Sequence, residues 1–220
     1  MQQVYRRLYA AYGPQHWWPG DTPFEVVVGA ILTQAAAWTN VEKAIGRLKA
    51  EGALSPRPIR QMSLDRLAEL VRASGYFNAK ARKLKAFCQH LGDRYGDALD
   101  ALFASRQVGT PTLREELLSL YGIGEETADS IVLYAAGKPA FVIDAYTRRI
   151  LGRLGLRPES ESYGAYQALF TAHLPADAAL YNEYHALLVR HGKETCVKRA
   201  TRCGSCCLAD LCLYARQRRA

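Results

Sequence analysis

The sequence predicts an all-α protein, and three observations support this fold class. Apolar residues recur at spacings of three and four nearly everywhere, as in Leu64, Leu67, Leu70 and Val71, which is the period of an amphipathic helix. Alternation of apolar and polar residues with period two, typical of a strand, is nearly absent. Capping residues precede the apolar runs, and glycines follow them. We therefore expect about ten helices of roughly 8 to 18 residues with short connections.

Helix starts and ends are marked along the whole chain. Each predicted start is a residue whose side chain can accept from the first helical turn, and they are Thr22, Asn40, Ser63, Asn78, Thr110, Ser162 and Asp177. Each predicted end is a glycine, which suits the left-handed position after a helix, and they are Gly13, Gly52, Gly75, Gly92, Gly122, Gly137 and Gly155. Long linkers and fixed-period repeats are absent, so any domains must pack compactly.

The composition fits a folded protein with a buried core. The chain has 220 residues, of which 49% are hydrophobic and 23% are charged, and 10% are aromatic. This composition excludes a disordered chain. The most apolar stretch, residues 24–38, is too short and too mixed to cross a bilayer, so no membrane partner is expected. The first residues lack the apolar region of a signal peptide, which predicts a cytoplasmic protein.

The charge balance favours a polyanionic partner. The chain carries 29 Lys and Arg against 21 Asp and Glu, a formal net charge of +8. Residues 190–220 contribute eight basic side chains, Arg219 the last of them, and two acidic ones. A solvated charged tail would have the same composition, so charge alone leaves both interpretations open.

Cysteines are concentrated in one C-terminal segment. Four of the six follow the pattern Cys196-x6-Cys203-x2-Cys206-x5-Cys212. A disulfide framework explains this pattern poorly in a cytosolic chain, because that compartment keeps thiols reduced. Four thiolates in one loop can surround a tetrahedral zinc ion or a cubane iron–sulfur cluster, and the spacing leaves both open. Cys88 is typical of a buried helical thiol, and Cys207 is a spare thiol beside the ligands.

A glycine turn and a later aspartate are the other candidate functional features. The turn Gly122-Ile123-Gly124 allows backbone N–H groups to begin the next helix, where they can bind an anion such as a phosphate. Taken alone, this pattern is more often a plain helix–helix turn. Further along the chain, the apolar residues 141–143 end at Asp144, whose ordinary role would be a helix cap.

Together, the glycine turn, the spaced Asp144 and the four-cysteine loop resemble the endonuclease III branch of the helix-hairpin-helix DNA glycosylase superfamily. The resemblance runs from about residue 22 to residue 214. It implies two helical lobes, a six-helix domain with the helix-hairpin-helix motif at 23–134 and an iron–sulfur cluster domain formed by 1–22 and 135–220. Double-stranded DNA with a damaged base would lie in the cleft between them, bound by a monomer associated with the nucleoid.

The resemblance also implies roles for single residues. The hairpin residues Gly122, Ile123, Gly124 and Thr127 would contact the DNA backbone, which supplies affinity without sequence choice. Asp144 would face the flipped nucleotide and stabilise positive charge on the sugar or activate a water. The four cysteines of the loop would hold a [4Fe-4S] cluster, and on this ground a cluster is preferred to zinc.

Two positions depart from the family pattern. Bifunctional members carry a lysine two residues after the second glycine, where this chain has Glu126. A carboxylate cannot form a Schiff base, so we expect a monofunctional glycosylase in base excision repair, with Asp144 and Glu126 as its catalytic residues. The position of the family's DNA-wedging glutamine falls on Ala35, with Gln34 beside it as the candidate DNA contact. The wedge is therefore not assigned to a residue.

Aromatic residues bear on the choice of substrate. Trp17, Trp18 and Trp38 lie in segments that could converge on one cavity, where a cationic alkylated purine would stack on the indoles. Together with Glu126, and with Lys193 as a pocket lysine, they resemble the 3-methyladenine DNA glycosylase subgroup. The alternative role for Trp17 and Trp18 is to anchor the N-terminal helix in the core.

Two other functions stay open. One is an endonuclease III-type glycosylase and AP lyase that acts on oxidised pyrimidines and uses another amine, such as Lys193, in place of the hairpin lysine. The other is a catalytically silent relative that binds DNA or senses redox state with the same scaffold.

Overall fold

The computed structural model describes residues 1–103 and 109–218, and every regular element within these ranges is a helix. The all-α prediction is therefore confirmed. The chain separates into two compact units. We call Trp18–Lys138 the hairpin unit, and Met1–Trp17 together with Pro139–Ala220 the terminal unit. Arg219 lies outside the described residues.

The hairpin unit is built around a long central helix. Its α-helices, as far as its residues are described, are α2 (Pro23–Leu32), α3 (Trp38–Ala50), α4 (Pro56–Gln61), α5 (Leu64–Leu70), α6 (Phe77–Tyr95), α7 (Leu99–Phe103), α8 (Thr110–Leu118) and α9 (Glu125–Ser130). A 3₁₀ turn at Arg72–Ser74 precedes α6, and α9 continues into a π-helical turn at Ile131–Ala135. Helix α6 packs against α2, α4, α5 and α7.

The terminal unit joins the first helix to the C-terminal part of the chain. Its helices are α1 (Gln2–Tyr12), α10 (Ala145–Leu154), α11 (Tyr163–Thr171), α12 (Ala178–Glu194) and α13 (Leu213–Gln217), with a 3₁₀ turn at Cys203–Ser205. Helix α12 packs against both α1 and α10. In the core, Phe141 stacks on Phe170 at 3.7 Å between ring centroids and meets Tyr184 edge-on at 5.7 Å. This aromatic cluster fixes the segment before α10 against α12.

Capping side chains begin several helices where the sequence predicts them. The side chains of Thr22, Ser63, Ser162 and Asp177 each accept a hydrogen bond from a backbone N–H in the first turn of the helix that follows. Three other predicted boundaries are wrong, because Asn40, Asn78 and Gly92 lie inside helices α3 and α6.

Gly92 does not end its helix because the side chain of Arg60 packs against the glycine and pairs with Asp97 beyond the helix end, at 2.8 Å. The helix ends instead at Gly96, whose φ of 61° is left-handed. Here a tertiary contact overrides the local signal for a helix end.

Helix α2 contains most of the apolar stretch at residues 24–38. Residues 24–32 of this helix are all buried, which explains why they show no polar face. Within this stretch, the buried carboxylate of Glu25 pairs with Lys49 at 2.9 Å. Among the residues described, no helix is long and apolar enough to cross a membrane.

A buried lysine fixes the end of α2. The ammonium of Lys80, on α6, donates to the carbonyl of Leu32 at 2.8 Å and to the carbonyl of Ser74 at 2.6 Å. Its burial lowers the pKa of Lys80 to about 8, because the charged form is poorly solvated there. Hydrogen bonds to the two carbonyls compensate part of this cost. The bond to Leu32 also ties the end of α2, and with it the following loop that carries Gln34, to the central helix α6.

Candidate functional site

Asp144 begins helix α10 and follows three buried apolar residues. Its Oδ1 accepts a hydrogen bond from the backbone N–H of Thr147 at 2.7 Å. The capping role expected for this position is therefore present. Since the cap uses Oδ1, the second oxygen of the carboxylate remains for another interaction.

The second oxygen of Asp144 lies near a buried histidine. Oδ2 is 3.7 Å from Nε2 of His185 on α12, and the two side chains are only 13% and 7% exposed. Burial lowers the pKa of His185, and the nearby charge of Asp144 opposes this shift only in part. The imidazole is therefore neutral at pH 7, and it faces a largely buried carboxylate.

The glycine turn needs its first glycine for two separate reasons. Gly122 has a φ of 77°, which a side chain disfavours, and a Cβ atom there would lie 2.5 Å from the side chain of Lys83. The N–H of Ile123 donates to the carbonyl of Leu120 at 3.2 Å, and the Ile123 side chain is buried. Ile123 therefore shapes the turn through both its N–H and its side chain.

Gln34 links the loop after α2 to the glycine turn. Its Nε2 donates to the carbonyl of Gly122 at 3.1 Å and to Oγ1 of Thr127 at 2.9 Å. The ammonium of Lys83 donates to the Oε1 of Gln34. Both ends of the amide are thus engaged within the hairpin unit, and Thr127 itself is buried. In this arrangement Gln34 and Thr127 organise the turn.

Two of the three tryptophans form an aromatic group in the hairpin unit. Trp18 meets Trp38 edge-on at 5.3 Å between centroids and contacts Tyr134 at 5.2 Å. Trp18 also lies on Gly29, where a Cβ atom would come within 3.2 Å of the indole. The indole N–H of Trp38 donates to Glu42 at 2.7 Å. Half-buried rings of this kind can pack or stack on a planar ligand.

The other two predicted pocket residues meet in the terminal unit. The ammonium of Lys193 lies over the ring of Trp17, 5.9 Å from its centroid, which is the geometry of a cation–π contact. The four predicted pocket residues thus form one pair in each unit. Glu126 is exposed in the first turn of α9, within the hairpin unit.

The four motif cysteines line one pocket in the terminal unit. This pocket has a volume of about 350 Å³, which includes space that is open to solvent, and it is lined by Cys196, Cys203, Cys206 and Cys212. All four are free thiols. In the part of the chain that is described, no three His, Cys, Asp or Glu side chains come close enough to hold a single metal ion. The four thiols therefore line one shared space.

Two arginines of α10 hold the start of the cysteine loop. Arg149 donates to the carbonyls of Cys196 and Gly192, each at 2.9 Å. Arg153 donates to Sγ of Cys196 at 3.2 Å and to the carbonyl of Val197 at 2.8 Å. These bonds fix a loop that has little regular structure of its own, and they bring positive charge to the thiols.

A histidine completes the wall of the cysteine pocket. His191 lies with Nε2 3.8 Å from Sγ of Cys206, and its Nδ1 is 2.8 Å from the hydroxyl of Tyr12. Burial lowers the pKa of His191 to about 4, so the ring is neutral at pH 7. Burial also raises the pKa of the Cys206 thiol to about 11, so a bound metal would have to displace its proton.

Comparison with known proteins identifies the scaffold that carries these features. The family described as "HhH-GPD superfamily base excision DNA repair protein" matches residues 28–175. The chain belongs to this family. This HhH-GPD protein is 44% identical over 211 residues to the Methanocaldococcus jannaschii protein named "Putative DNA repair glycosylase MJ1434", covering 96% of this chain and 94% of that one. It is 29% identical over 194 residues to endonuclease III of Haemophilus influenzae, covering 88% and 85%.

Solved structures agree with this assignment. A trapped endonuclease III–DNA covalent intermediate matches with a TM-score of 0.84 and 25% identity, covering 100% of this chain and 98% of that one. The H. pylori 3-methyladenine DNA glycosylase bound to 1,N6-ethenoadenine matches with a TM-score of 0.74 and 28% identity, covering 87% and 96%. The HhH-GPD protein is thus a DNA repair glycosylase of the endonuclease III family.

Sequence reasoning missed three residues that the structure brings to these features. They are His185 beside Asp144, Lys83 across Gly122, and Arg153 in the cysteine loop. No local signal marks His185 or Lys83, because each lies on an ordinary amphipathic helix. Arg149 and Arg153 carried a weak signal in the sequence, since they are four residues apart in the helix predicted to begin after Asp144.

Replacing Gly122 by alanine is expected to destabilise the hairpin unit. The left-handed φ alone should lower the free energy of unfolding by about 1 to 2 kcal/mol, and the clash with Lys83 adds to that cost. Gly124→Ala is the matched control, because its φ is −95° and a Cβ there meets no atom within 4 Å. Denaturant unfolding measures both variants. Equal stability of the two alanine variants would contradict the role given to Gly122.

Proposed function

We propose that this HhH-GPD protein is a monofunctional DNA glycosylase that removes alkylated purines from duplex DNA by hydrolysis. The observation that carries the proposal is that the sequence has both Asp144 and, at the lysine position of strand-cleaving relatives, Glu126. A carboxylate can stabilise a cation or accept a proton, but it cannot form the Schiff base through which an amine leads to strand cleavage. The chain therefore keeps the group for hydrolysis and lacks the group for lyase chemistry at this position.

The role proposed for Asp144 follows from the bonds that change. The bond from C1′ to the base breaks, and its electron pair leaves with the base, so positive charge develops on the sugar. The ionised carboxylate stabilises this charge. The oxygen of a water then bonds to C1′ and its proton passes to Asp144 and on to solvent. The products are the free base and an abasic site in an intact strand.

An alkylated purine suits this machinery for a chemical reason. Alkylation at a ring nitrogen makes the base cationic, so it departs as a neutral molecule when it takes the bonding pair and needs no acid to protonate it. Trp18 and Trp38 supply an aromatic group on which such a base can stack, and the face of an indole attracts a cation. The likeness to a 3-methyladenine DNA glycosylase, at 28% identity, supports the same class of substrate.

Binding of duplex DNA is part of the proposal. The formal net charge of +8 favours a polyanion, and the structural relatives include DNA complexes. We assign the backbone contact to Gly122 and Gly124 of the glycine turn, because Ile123 is engaged within it. The target base must leave the stack to reach Asp144, since the glycosidic bond is inaccessible inside a duplex.

We assign the cysteine pocket to a [4Fe-4S] cluster. The residues fit this group: four free thiols line one space, and Arg153 donates to the sulfur of Cys196. The backbone N–H of Leu208 also donates to Sγ of Cys206 at 3.4 Å, the kind of bond that stabilises a thiolate ligand. When bound, the cluster would supply four covalent cross-links that hold the basic loop in shape.

The test compares two damaged duplexes with and without alkali. Breaks that appear only after alkali, and only in DNA with an alkylated purine, are the expected result. Borohydride should trap no covalent adduct with the wild type. Glu126→Lys is the matched comparison because it restores an amine at the lyase position, and trapping by this variant alone would show that residue 126 decides the outcome.

A second candidate function is lyase action on oxidised pyrimidines through another amine. Lys193 is the candidate, since it lies against Trp17 in the terminal unit. Breaks without alkali on oxidised-pyrimidine DNA, together with a wild-type adduct trapped by borohydride and lost in Lys193→Gln, would establish this function and overturn the first.

A further inference from the structure

Each oxygen of Asp144 has a neighbour within the terminal unit. The backbone N–H of Thr147 donates to Oδ1, and Nε2 of His185 lies 3.7 Å from Oδ2. A carboxylate held at one oxygen can still turn about its last side-chain bond, because that torsion is broad. A donor on the other oxygen restricts this rotation, and His185 is placed to supply one.

The protonation of His185 determines what it offers to Asp144. Burial lowers the pKa of the imidazole, and the nearby charge of Asp144 opposes this shift. A neutral imidazole carries one N–H, and the neighbouring anion favours the form with the proton on Nε2. His185 thus presents a neutral donor to an ionised carboxylate. A neutral donor leaves the negative charge of Asp144 intact, whereas an imidazolium would cancel it.

His185 is a buried polar side chain. The side chain is 7% exposed, and a buried polar group costs free energy that an apolar residue of similar size would avoid. The adjacent Tyr184 belongs to the aromatic core that also holds Phe141, three residues before Asp144. This core keeps the imidazole and the carboxylate in register.

We propose that His185 is a positioning residue for Asp144, and that the Nε2–H of His185 orients the carboxylate toward the sugar. This inference rests on the proposed function of Asp144. The distance of 3.7 Å is longer than a direct hydrogen bond, for which about 2.9 Å is usual. Catalytic hydrogen bonds are often long before substrate binds and shorten in the complex. A movement of less than about 1 Å completes this one.

Two substitutions separate positioning from packing. His185→Gln keeps an N–H donor near the place of Nε2, whereas His185→Met fills similar volume without a donor. His90→Met is the matched control, because His90 also faces a carboxylate, Glu116 at 2.7 Å, but belongs to the hairpin unit. Thermal unfolding and binding to an uncleaved abasic-analogue duplex establish that each variant folds and binds. The single-turnover rate of base excision from an alkylated duplex is then measured for each variant.

We expect His185→Met to lower the single-turnover rate about tenfold to a hundredfold, the range for losing an outer partner of a functional group. Duplex affinity should stay within about twofold of the wild type, as it does when only transition-state interactions are lost. His185→Gln should recover most of the rate, and His90→Met should leave the rate unchanged.

Several outcomes overturn the inference. One is a His185→Met protein that keeps the wild-type rate. Another is equal loss of rate in the Gln and Met variants, which is the signature of packing. Asp144→Asn distinguishes this failure from failure of the proposed function. If Asp144→Asn retains excision, the role of Asp144 itself is wrong. If it loses excision while His185→Met does not, only the role of His185 is wrong.

Discussion

Asp144→Asn is expected to lower base excision by about 10²- to 10⁴-fold, the usual contribution of a group that moves a proton in the transition state. The physical reason is the loss of a negative charge and of a proton acceptor beside C1′. The amide oxygen of Asn can still accept from the N–H of Thr147, so the cap of α10 and the fold should persist. Single-turnover kinetics on an alkylated duplex measure the loss.

A second aspartate provides the control for this experiment. Asp177 caps α12 in the same way, with Oδ1 accepting from the N–H of Leu180 at 2.8 Å. Asp177→Asn removes the same charge from an equivalent cap without touching Asp144. We expect wild-type excision from this variant. Loss of excision in both variants would mean that charge or capping, and not the site, explains the result, and full excision by Asp144→Asn would refute its catalytic role.

Duplex binding, measured beside excision, distinguishes an enzyme from a catalytically silent relative. If Asp144→Asn binds the duplex as tightly as the wild type, the substitution has removed chemistry alone. If the wild-type protein excises no base from any damaged duplex while binding remains, the chain is a scaffold that has lost catalysis.

Cys206→Ser is expected to abolish the iron–sulfur cluster and destabilise the terminal unit. The loss of a metal centre belongs to the few mechanisms that cost a protein more than about 4 kcal/mol. For a chain of this size, such a loss lowers the apparent Tm by roughly 8 to 16 °C. The measurements are iron and acid-labile sulfide content, visible absorption, and thermal unfolding followed by circular dichroism.

Cys207→Ser is the matched control because it changes the next residue along the chain. Cys207 is also half-buried and free, but it does not line the pocket shared by the four motif cysteines. We expect this variant to retain iron, sulfide and visible absorption. Its free energy of unfolding should fall by less than about 1 kcal/mol. Zinc without sulfide in the wild-type protein would refute the cluster, and loss of iron from Cys207→Ser would revise the ligand set.

The local features of this protein could be predicted from its sequence. Helical periodicity gave the fold class, since a run that buries one face at a period of 3.6 cannot form a half-buried strand. Thr22 and Ser63 mark helix starts because a cap bonds to a backbone only three residues away. The cysteine spacing marked a loop that could surround one centre, because its ligands lie within a short stretch of chain.

Where local and tertiary preferences compete, the sequence was a poorer guide. Gly92 has the residue type of a helix end, yet α6 continues past it because Arg60 packs against the glycine. Gln34 was a candidate DNA contact from its position in the sequence. In the fold, its amide bonds to Gly122 and Thr127, partners that its position in the sequence did not indicate.

The sequence by itself determined the all-α class, several helix caps, the need for glycine at position 122 and the four-cysteine loop. Each depends on backbone conformation or on residues close in the chain. Only the tertiary structure decided that His185 faces Asp144, that Lys83 crosses Gly122 and that Arg153 holds Cys196. These pairs lie on separate elements and meet because apolar faces pack in one arrangement among many. The spacing of residues along the chain does not predict these contacts, because they form between surfaces that exist only in the folded chain.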